Sequence, residues 1–358
     1  MSNLPKTMKA VVAYGKNDWR FEEAYPTPEC GPNEVIVKSE GSGICAGDVK
    51  NYQGATMYWG GDGLVGICRP PFIPGHEFVG RIVEVGSAVT EWKVGERVIA
   101  EQIVPCGHCR FCKTGKYWMC QNRGGFGFYK ELNGGMGEYV KFLPETHIFR
   151  IPEEMPFEQA VLIEPYACAK HAVDRADIGC DDFVVISGAG TLGLGMLTYA
   201  RLKNPAKLVV LDLNNQRLEK AKEFGADIVL NPRECDVVQV IRDMTDGYGC
   251  DIYIEATGHS ASVIQGLNAI RKLGVFVEFG VFADTTTVNW SLIGDRKELD
   301  IRGAHLSPYC YPFVIENIAN GRLKTDGIVS SVFPVEEWEK AYDAATGKYG
   351  DYKVAIKF

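Results

Sequence analysis

Cys106, Cys109, Cys112 and Cys120 stand in the spacing C-x2-C-x2-C-x7-C, which lets one short loop wrap four thiolates around a tetrahedral zinc ion. Such a site is closed: protein fills every ligand position, so the ion holds a lobe and does no chemistry. The other readings of these sulfurs are a disulfide pair or plain buried thiols, and nothing else in the chain has the character of a secreted protein. A second, dispersed set, Cys45, His76, Glu77 and Glu164, offers the ligand types of a zinc site that leaves one position open to substrate. One metal would then hold a lobe and the other would do chemistry, giving two zinc ions per chain.

A third chemical signal is Gly188-Ala189-Gly190-Thr191-Leu192-Gly193, which follows the strand-like run FVVIS and opens a helix-like one. Gly188 permits a tight turn, Gly190 lets a pyrophosphate approach the backbone, and Gly193 lets helix and strand pack closely. The helix N-terminus then offers unpaired N–H groups and a partial positive charge to the phosphates. Asp212 ends the next strand, LVVLD, where a carboxylate grips a ribose 2′-hydroxyl and repels a 2′-phosphate, so the expected cofactor is NAD ahead of NADP. Arg217 either stacks on adenine or lies on a solvated helix face. In a chain with 40 glycines the bland alternative is a glycine turn that binds nothing.

These groups need elements to position them. From Met8 to about Pro156, short apolar runs (Ala10–Ala13, Val35–Val37, Phe78–Val85, Arg97–Ala100) are broken by Gly and Pro, the pattern of a mostly β domain. From Phe157 to about Gly303, strand-like runs (Phe183–Ile186, Leu208–Leu211) alternate with helix-like ones (Leu192–Leu202, Arg217–Phe224), the mark of a parallel α/β sheet. A helix near Pro312–Asn320 and an apolar strand, Lys353–Phe358, return to the first domain, giving 1–156 with 304–358 and an inserted 157–303. With 46% hydrophobic residues, the 358-residue chain can supply two cores. A formal charge of −8 argues against general nucleic-acid binding. No uninterrupted apolar run is long enough to cross a bilayer, and twelve cysteines without a cleavable leader point to the cytoplasm.

The ordered series Gly43-Ile44-Cys45-x-x-Asp48, Gly75-His76-Glu77, the four-cysteine lobe, Glu164-Pro165 followed by His171-Ala172, the nucleotide glycines and Glu255-Ala256-Thr257-Gly258 resembles the zinc-dependent medium-chain dehydrogenases, in particular their sorbitol, threitol and threonine branch. The resemblance runs nearly end to end. It implies an α/β protein with a GroES-like, mostly β catalytic domain and a doubly wound Rossmann domain, assembled as a homodimer or homotetramer. Carried over residue by residue, Cys45 and His76 resemble zinc ligands, and Glu77 and Glu164 the acidic ligands, one bound directly and the other directly or through water. Cys168, one helical turn after Glu164, is the rival ligand. Asp48 resembles the carboxylate that fixes the tautomer of His76. Thr257, Val281 and Phe282 resemble positions lining the nicotinamide. His171 and His108 read as a structural and a surface residue.

Two departures narrow the substrate. Relatives carry Ser or Thr two residues after the first zinc cysteine, where the hydroxyl relays the alcohol proton; this chain has Gly47, and Lys50 stands where many have histidine. In Gly303-Ala304-His305-Leu306-Ser307, Leu306 replaces an arginine that sorbitol dehydrogenases present to the polyol. The stretch Tyr52 to Ile73, with Tyr58 and Trp59, forms a pocket wall or packs on the lobe. The resemblance therefore implies reversible oxidation of a four- or five-carbon polyol such as threitol or erythritol at C2 to a ketose. The alternatives are an L-threonine 3-dehydrogenase, a vicinal-diol (butanediol) dehydrogenase and, outside enzymes, a zinc-dependent binding module.

Overall fold

The apolar runs of the first part, buried along most of their length, become antiparallel strands. In the computed structural model, which describes residues 4–61, 63–347 and 350–358, β1 (Thr7–Gly15) pairs with β2 (Asp18–Pro26) as a hairpin. β3 (Val35–Ile44), β4 (Glu77–Val85), β5 (Arg97–Ala100), β6 (Tyr139–Phe142) and β7 (Ile148–Arg150) form most of a second sheet. A bulge between Ser39 and Gly41 bends β3, and only glycine fits there: at Gly41 φ is +155° and a Cβ would meet the carbonyl oxygen of Ile356 at 2.2 Å. One core lies among Val35, Val37, Phe78, Ile82, Val98 and Phe142, and another between β1, Trp19, Trp338 and Tyr342.

The middle of the chain builds a six-stranded parallel sheet from β8 (Phe183–Ser187), β9 (Lys207–Leu211), β10 (Ile228–Leu230), β11 (Cys250–Glu255), β12 (Ile270–Glu278) and β13 (Asp300–Gly303). Their order, β10-β9-β8-β11-β12-β13, is that of a doubly wound dinucleotide-binding sheet, with the strand order reversing beside β8. The chain then returns to the antiparallel sheet through β14 (Val329–Pro334) and β15 (Lys353–Lys357), which sets Val354 opposite Ile44 on β3.

Two compact units result: 1–164 with 311–320 and 325–358, and 165–310 with 321–324. The borders fall later than the pattern changes at Pro156 and Gly303 suggest. Phe157 belongs with the β unit because its ring lies 2.7 Å from where a Gly41 Cβ would stand and carries the Lys357 ammonium 4.5 Å from its centroid. Ala304 stays with the parallel sheet, its N–H donating to the carbonyl of Glu278 at 3.0 Å. Among the described residues, no helix is long and apolar enough to cross a membrane.

Candidate metal centres and dinucleotide loop

The four-cysteine loop closes on itself. Sγ of Cys109 lies 3.5 Å from that of Cys112 and 4.0 Å from that of Cys120, and Sγ of Cys106 lies 4.0 Å from that of Cys112. All four are free thiols, so the disulfide reading is dismissed. Backbone N–H groups of Cys106 and Cys109 donate to the Sγ atoms of Cys120 and Cys106 at 3.4 and 3.3 Å, an arrangement that favours thiolates. Hydrogen bonds from the backbone of Cys112 and Gln121 pull Cys109 down to about 6, whereas burial and the contact with Cys109 push Cys112 up to about 12. Neighbouring sulfurs that cannot all ionise by themselves are a donor set that fits a soft cation. His108 is exposed, and its Nδ1 is engaged 2.7 Å from the carbonyl of Cys106, apart from the sulfurs.

The dispersed set lies within the β unit. Cys45 follows the last residue of β3 and caps the helix Ala46–Tyr52, with its N–H donating to Oδ2 of Asp48 at 2.9 Å. His76 and Glu77 open β4, delivered by Gly75, whose φ of +93° is open to glycine at little cost. One donor atom from each of Cys45, His76 and Glu77 lies within 4.8 Å of the others. His76 Nδ1 stands 3.5 Å from Oδ1 of Asp48, ion-pair reach but long for a hydrogen bond, and among the described residues neither buried atom has another hydrogen-bond partner. A carboxylate on the Nδ1 side leaves Nε2 as the other ring nitrogen a metal could take. Burial pushes the imidazole down, but Asp48 and Cys45 hold it above its ordinary range. A sulfur, an imidazole and a carboxylate brought this close are a donor set that fits zinc.

Glu77 has a partner that sequence reasoning missed. Lys353, only 4% exposed at the start of β15, donates to Oε1 and Oε2 of Glu77 at 2.7 and 2.5 Å and to the carbonyl of Ile44 at 3.2 Å. Gly43 makes room for this, since a Cβ there would meet Oε2 of Glu77 at 2.2 Å. Glu164 is buried in the first turn of the helix Ile163–Ala176 and its charge reaches Lys353, but it is outside the set within 4.8 Å, as is Cys168. His171 is held down to about 4 by burial and then by Arg175. Tyr58 is buried rather than exposed, and its ring stacks on Phe128, which in turn stacks on His76. Asp62, inside the stretch Tyr52 to Ile73, lies outside the described residues.

In the parallel-sheet unit, Gly188 has φ +110° and leads from β8 to the helix Thr191–Lys203, whose second residue is Leu192. A Cβ on Gly193 would stand 1.8 Å from the carbonyl of Gly188, so helix and strand approach as the glycine pattern requires. Asp212 follows β9 and accepts N–H groups of Ala189 and Asn214, both at 2.8 Å, which fixes the carboxylate beside the glycine turn. Arg217 is half-buried with Nη1 3.8 Å from where a Gly190 Cβ would stand, so it borders the loop and does not lie on a solvated face. Thr257 donates its N–H to Glu255 Oε1 at 2.8 Å and rests its methyl 3.2 Å from where a Gly188 Cβ would stand; Val281 packs its backbone against Gly258. Phe282 is half-buried next in chain. Glu278, the register partner of Glu255, is pushed up to about 7 by burial and by that neighbour, a second feature the sequence did not announce.

Comparison with known proteins shows the family. The alcohol dehydrogenase GroES-like domain matches residues 31–153 and the zinc-binding dehydrogenase domain residues 191–320. An erythritol/L-threitol dehydrogenase of Mycolicibacterium smegmatis is 45% identical over 99% of both chains. Among solved structures, a zinc-binding dehydrogenase of Sinorhizobium meliloti bound to NADP superimposes with a TM-score of 0.89 at 27% identity, covering 99% of this chain and 100% of that one. The 2R,3R-butanediol dehydrogenase of Bacillus subtilis does so with 0.86 at 27% identity, covering 98% and 100%. With the GroES-like and zinc-binding dehydrogenase domains both matched and a relative aligned end to end, the chain belongs to the zinc-binding dehydrogenases with a GroES-like domain, oxidoreductases acting on the CH–OH group.

Proposed function

We propose that the protein is a zinc- and NAD-dependent dehydrogenase of a four-carbon polyol, oxidising erythritol or threitol at C2 to the ketose. The observation that carries the reading is the Cys45, His76 and Glu77 set, braced by Asp48 and Lys353. Its single sulfur makes it harder than a thiolate-rich site and suits an oxygen-rich substrate. The likeness to the erythritol/L-threitol dehydrogenase adds the substrate class. Cys106, Cys109, Cys112 and Cys120 would hold the second ion.

When bound, zinc lowers the pKa of a coordinated alcohol and NAD accepts the hydride. Within the chain, Cys45 and His76 supply the soft and borderline donors, and Asp48 fixes which imidazole nitrogen is free. Glu77 balances charge while Lys353 holds it in place. Asp212 takes the adenosine ribose, Gly188, Gly190, Thr191, Leu192 and Gly193 the pyrophosphate, and Thr257, Val281 and Phe282 border the nicotinamide. Glu164, buried near the same charges, is the group offered for holding a proton through water.

Catalytic efficiencies for erythritol, both threitols, xylitol, sorbitol, 2,3-butanediol and threonine test the substrate, because efficiency reports transition-state discrimination. The four-carbon polyols should lead by about tenfold, as Leu306 offers no charge to distal hydroxyls. A lead for sorbitol, butanediol or threonine would overturn this choice, and the butanediol outcome would fit the Bacillus subtilis likeness.

Cofactor choice is a separate test. On this reading Asp212 would meet the ribose 2′-group, and its carboxylate is fixed by two N–H donors. NAD should outperform NADP, and Asp212→Ala should narrow the ratio by about tenfold, or about 1.4 kcal/mol. Equal use of the two by the unmodified enzyme would contradict the assignment. We further infer a homodimer or homotetramer in the cytoplasm, supported by family likeness and by the free cysteines, with size-exclusion chromatography as the check.

A further inference from the structure

Gly47 leaves room beside Cys45, and that room is filled. A Cβ at position 47 would lie 2.7 Å from the Tyr58 hydroxyl and 3.5 Å from the Cys45 Sγ, so the phenol oxygen and a zinc-ligating sulfur border one small volume. The ring is locked: it is 6% exposed, stacked on Phe128 at 5.7 Å and 6°, and Phe128 stacks on His76 at 5.9 Å. The backbone carbonyl of Tyr58 accepts from the N–H groups of Ile67 and Cys68 at 2.8 and 3.0 Å, and the Trp59 indole is tied to the Asn51 carbonyl at 2.8 Å. Among the described residues the Tyr58 hydroxyl makes no hydrogen bond, yet it is not one of the fully enclosed polar atoms. A buried, rigid, unspent donor that stays open on one side is oriented for a ligand.

We propose that Tyr58 is a catalytic residue of the open site, its hydroxyl hydrogen-bonding the reacting hydroxyl of the substrate from the space that a side chain at position 47 would otherwise occupy. An ordinary phenol keeps its proton at neutral pH and is able to donate. The oxygen reaches the site from the helix Thr56–Trp59 instead of from the helix Ala46–Tyr52 that carries Gly47. The inference rests on the dehydrogenase reading for its role and on packing alone for its geometry.

The test is a double-variant cycle at Gly47 and Tyr58 in the zinc-loaded enzyme, assayed on whichever alcohol of the panel is oxidised best. Tyr58→Phe removes one atom and should lower kcat/KM by about 100-fold, the size of losing one preorganised donor, with zinc content and melting temperature unchanged. Gly47→Ser alone forces its Cβ against the Tyr58 hydroxyl and should lower the melting temperature as well as activity. In the double variant the nearest Tyr58 atom to that Cβ is Cζ at 3.8 Å, an ordinary contact, so the melting temperature should recover and the new hydroxyl should raise kcat/KM about tenfold above Tyr58→Phe. A Tyr58→Phe enzyme within about twofold of the unmodified one, or a double variant no better than Tyr58→Phe, overturns the role. A double variant that melts as low as Gly47→Ser overturns the geometry. A best alcohol that is not a polyol counts against the proposed substrate and leaves the cycle fully readable.

Discussion

His76→Ala should lower turnover by about 1,000-fold, the effect of removing several kcal/mol of Lewis-acid stabilisation. His76 is a donor in the set within 4.8 Å, and among the described residues it supplies the set's nitrogen. The four-cysteine loop does not use His76, so zinc measured by atomic emission should fall from about two ions per chain to about one while the fold persists. Asp48→Asn should act more mildly, since it keeps shape and removes only the charge that orients the ring: about 10–100-fold in metal affinity or activity. Mild chelation of the unmodified protein should mimic His76→Ala, releasing the ion of the open site first. A His76→Ala protein that keeps both ions and its turnover would remove the basis for the catalytic assignment.

Why His76 was legible and Lys353 was not follows from where the information lies. Cys45 with Asp48, and His76 with Glu77, are near neighbours in sequence, and the resemblance to a known family joins the two pairs into one site. Spacing alone assembles the sulfurs of the lobe and the glycine turn after β8, whose flanking strand and helix patterns are local. Lys353 lies 276 residues from Glu77, and only the antiparallel pairing of β15 with β3 brings them together. A lysine opening a strand with an apolar centre was the available signal. Glu164 shows the converse: its place in an ordered series suggested a ligand, yet the helix turn that carries it leaves it outside the compact donor set. Tyr58 depended on packing. Gly47 reads in sequence as a missing hydroxyl, and only the space around it shows a phenol in that place. The unit borders depended on packing as well, through the seat of Phe157 against Gly41.

The buried Lys353–Glu77 pair should show itself in stability. Lys353 is 4% and Glu77 1% exposed, so removing one charge strands the other away from water. Lys353→Met should therefore cost about 3–5 kcal/mol in urea unfolding, whereas Glu77→Gln combined with Lys353→Met should recover much of the loss, because no lone charge remains. The pair also borders the open donor set, which adds a metal term. With Lys353 gone, a cation held by Cys45 and His76 is the nearest counter-charge for Glu77, so the loss should be larger after chelation than in the zinc-loaded protein. Equal losses with and without the metal would mean that Glu77 faces Lys353 alone, and would withdraw it from the ligand set. A loss under about 1 kcal/mol in both states would instead place the pair in water, as for an ordinary surface ion pair.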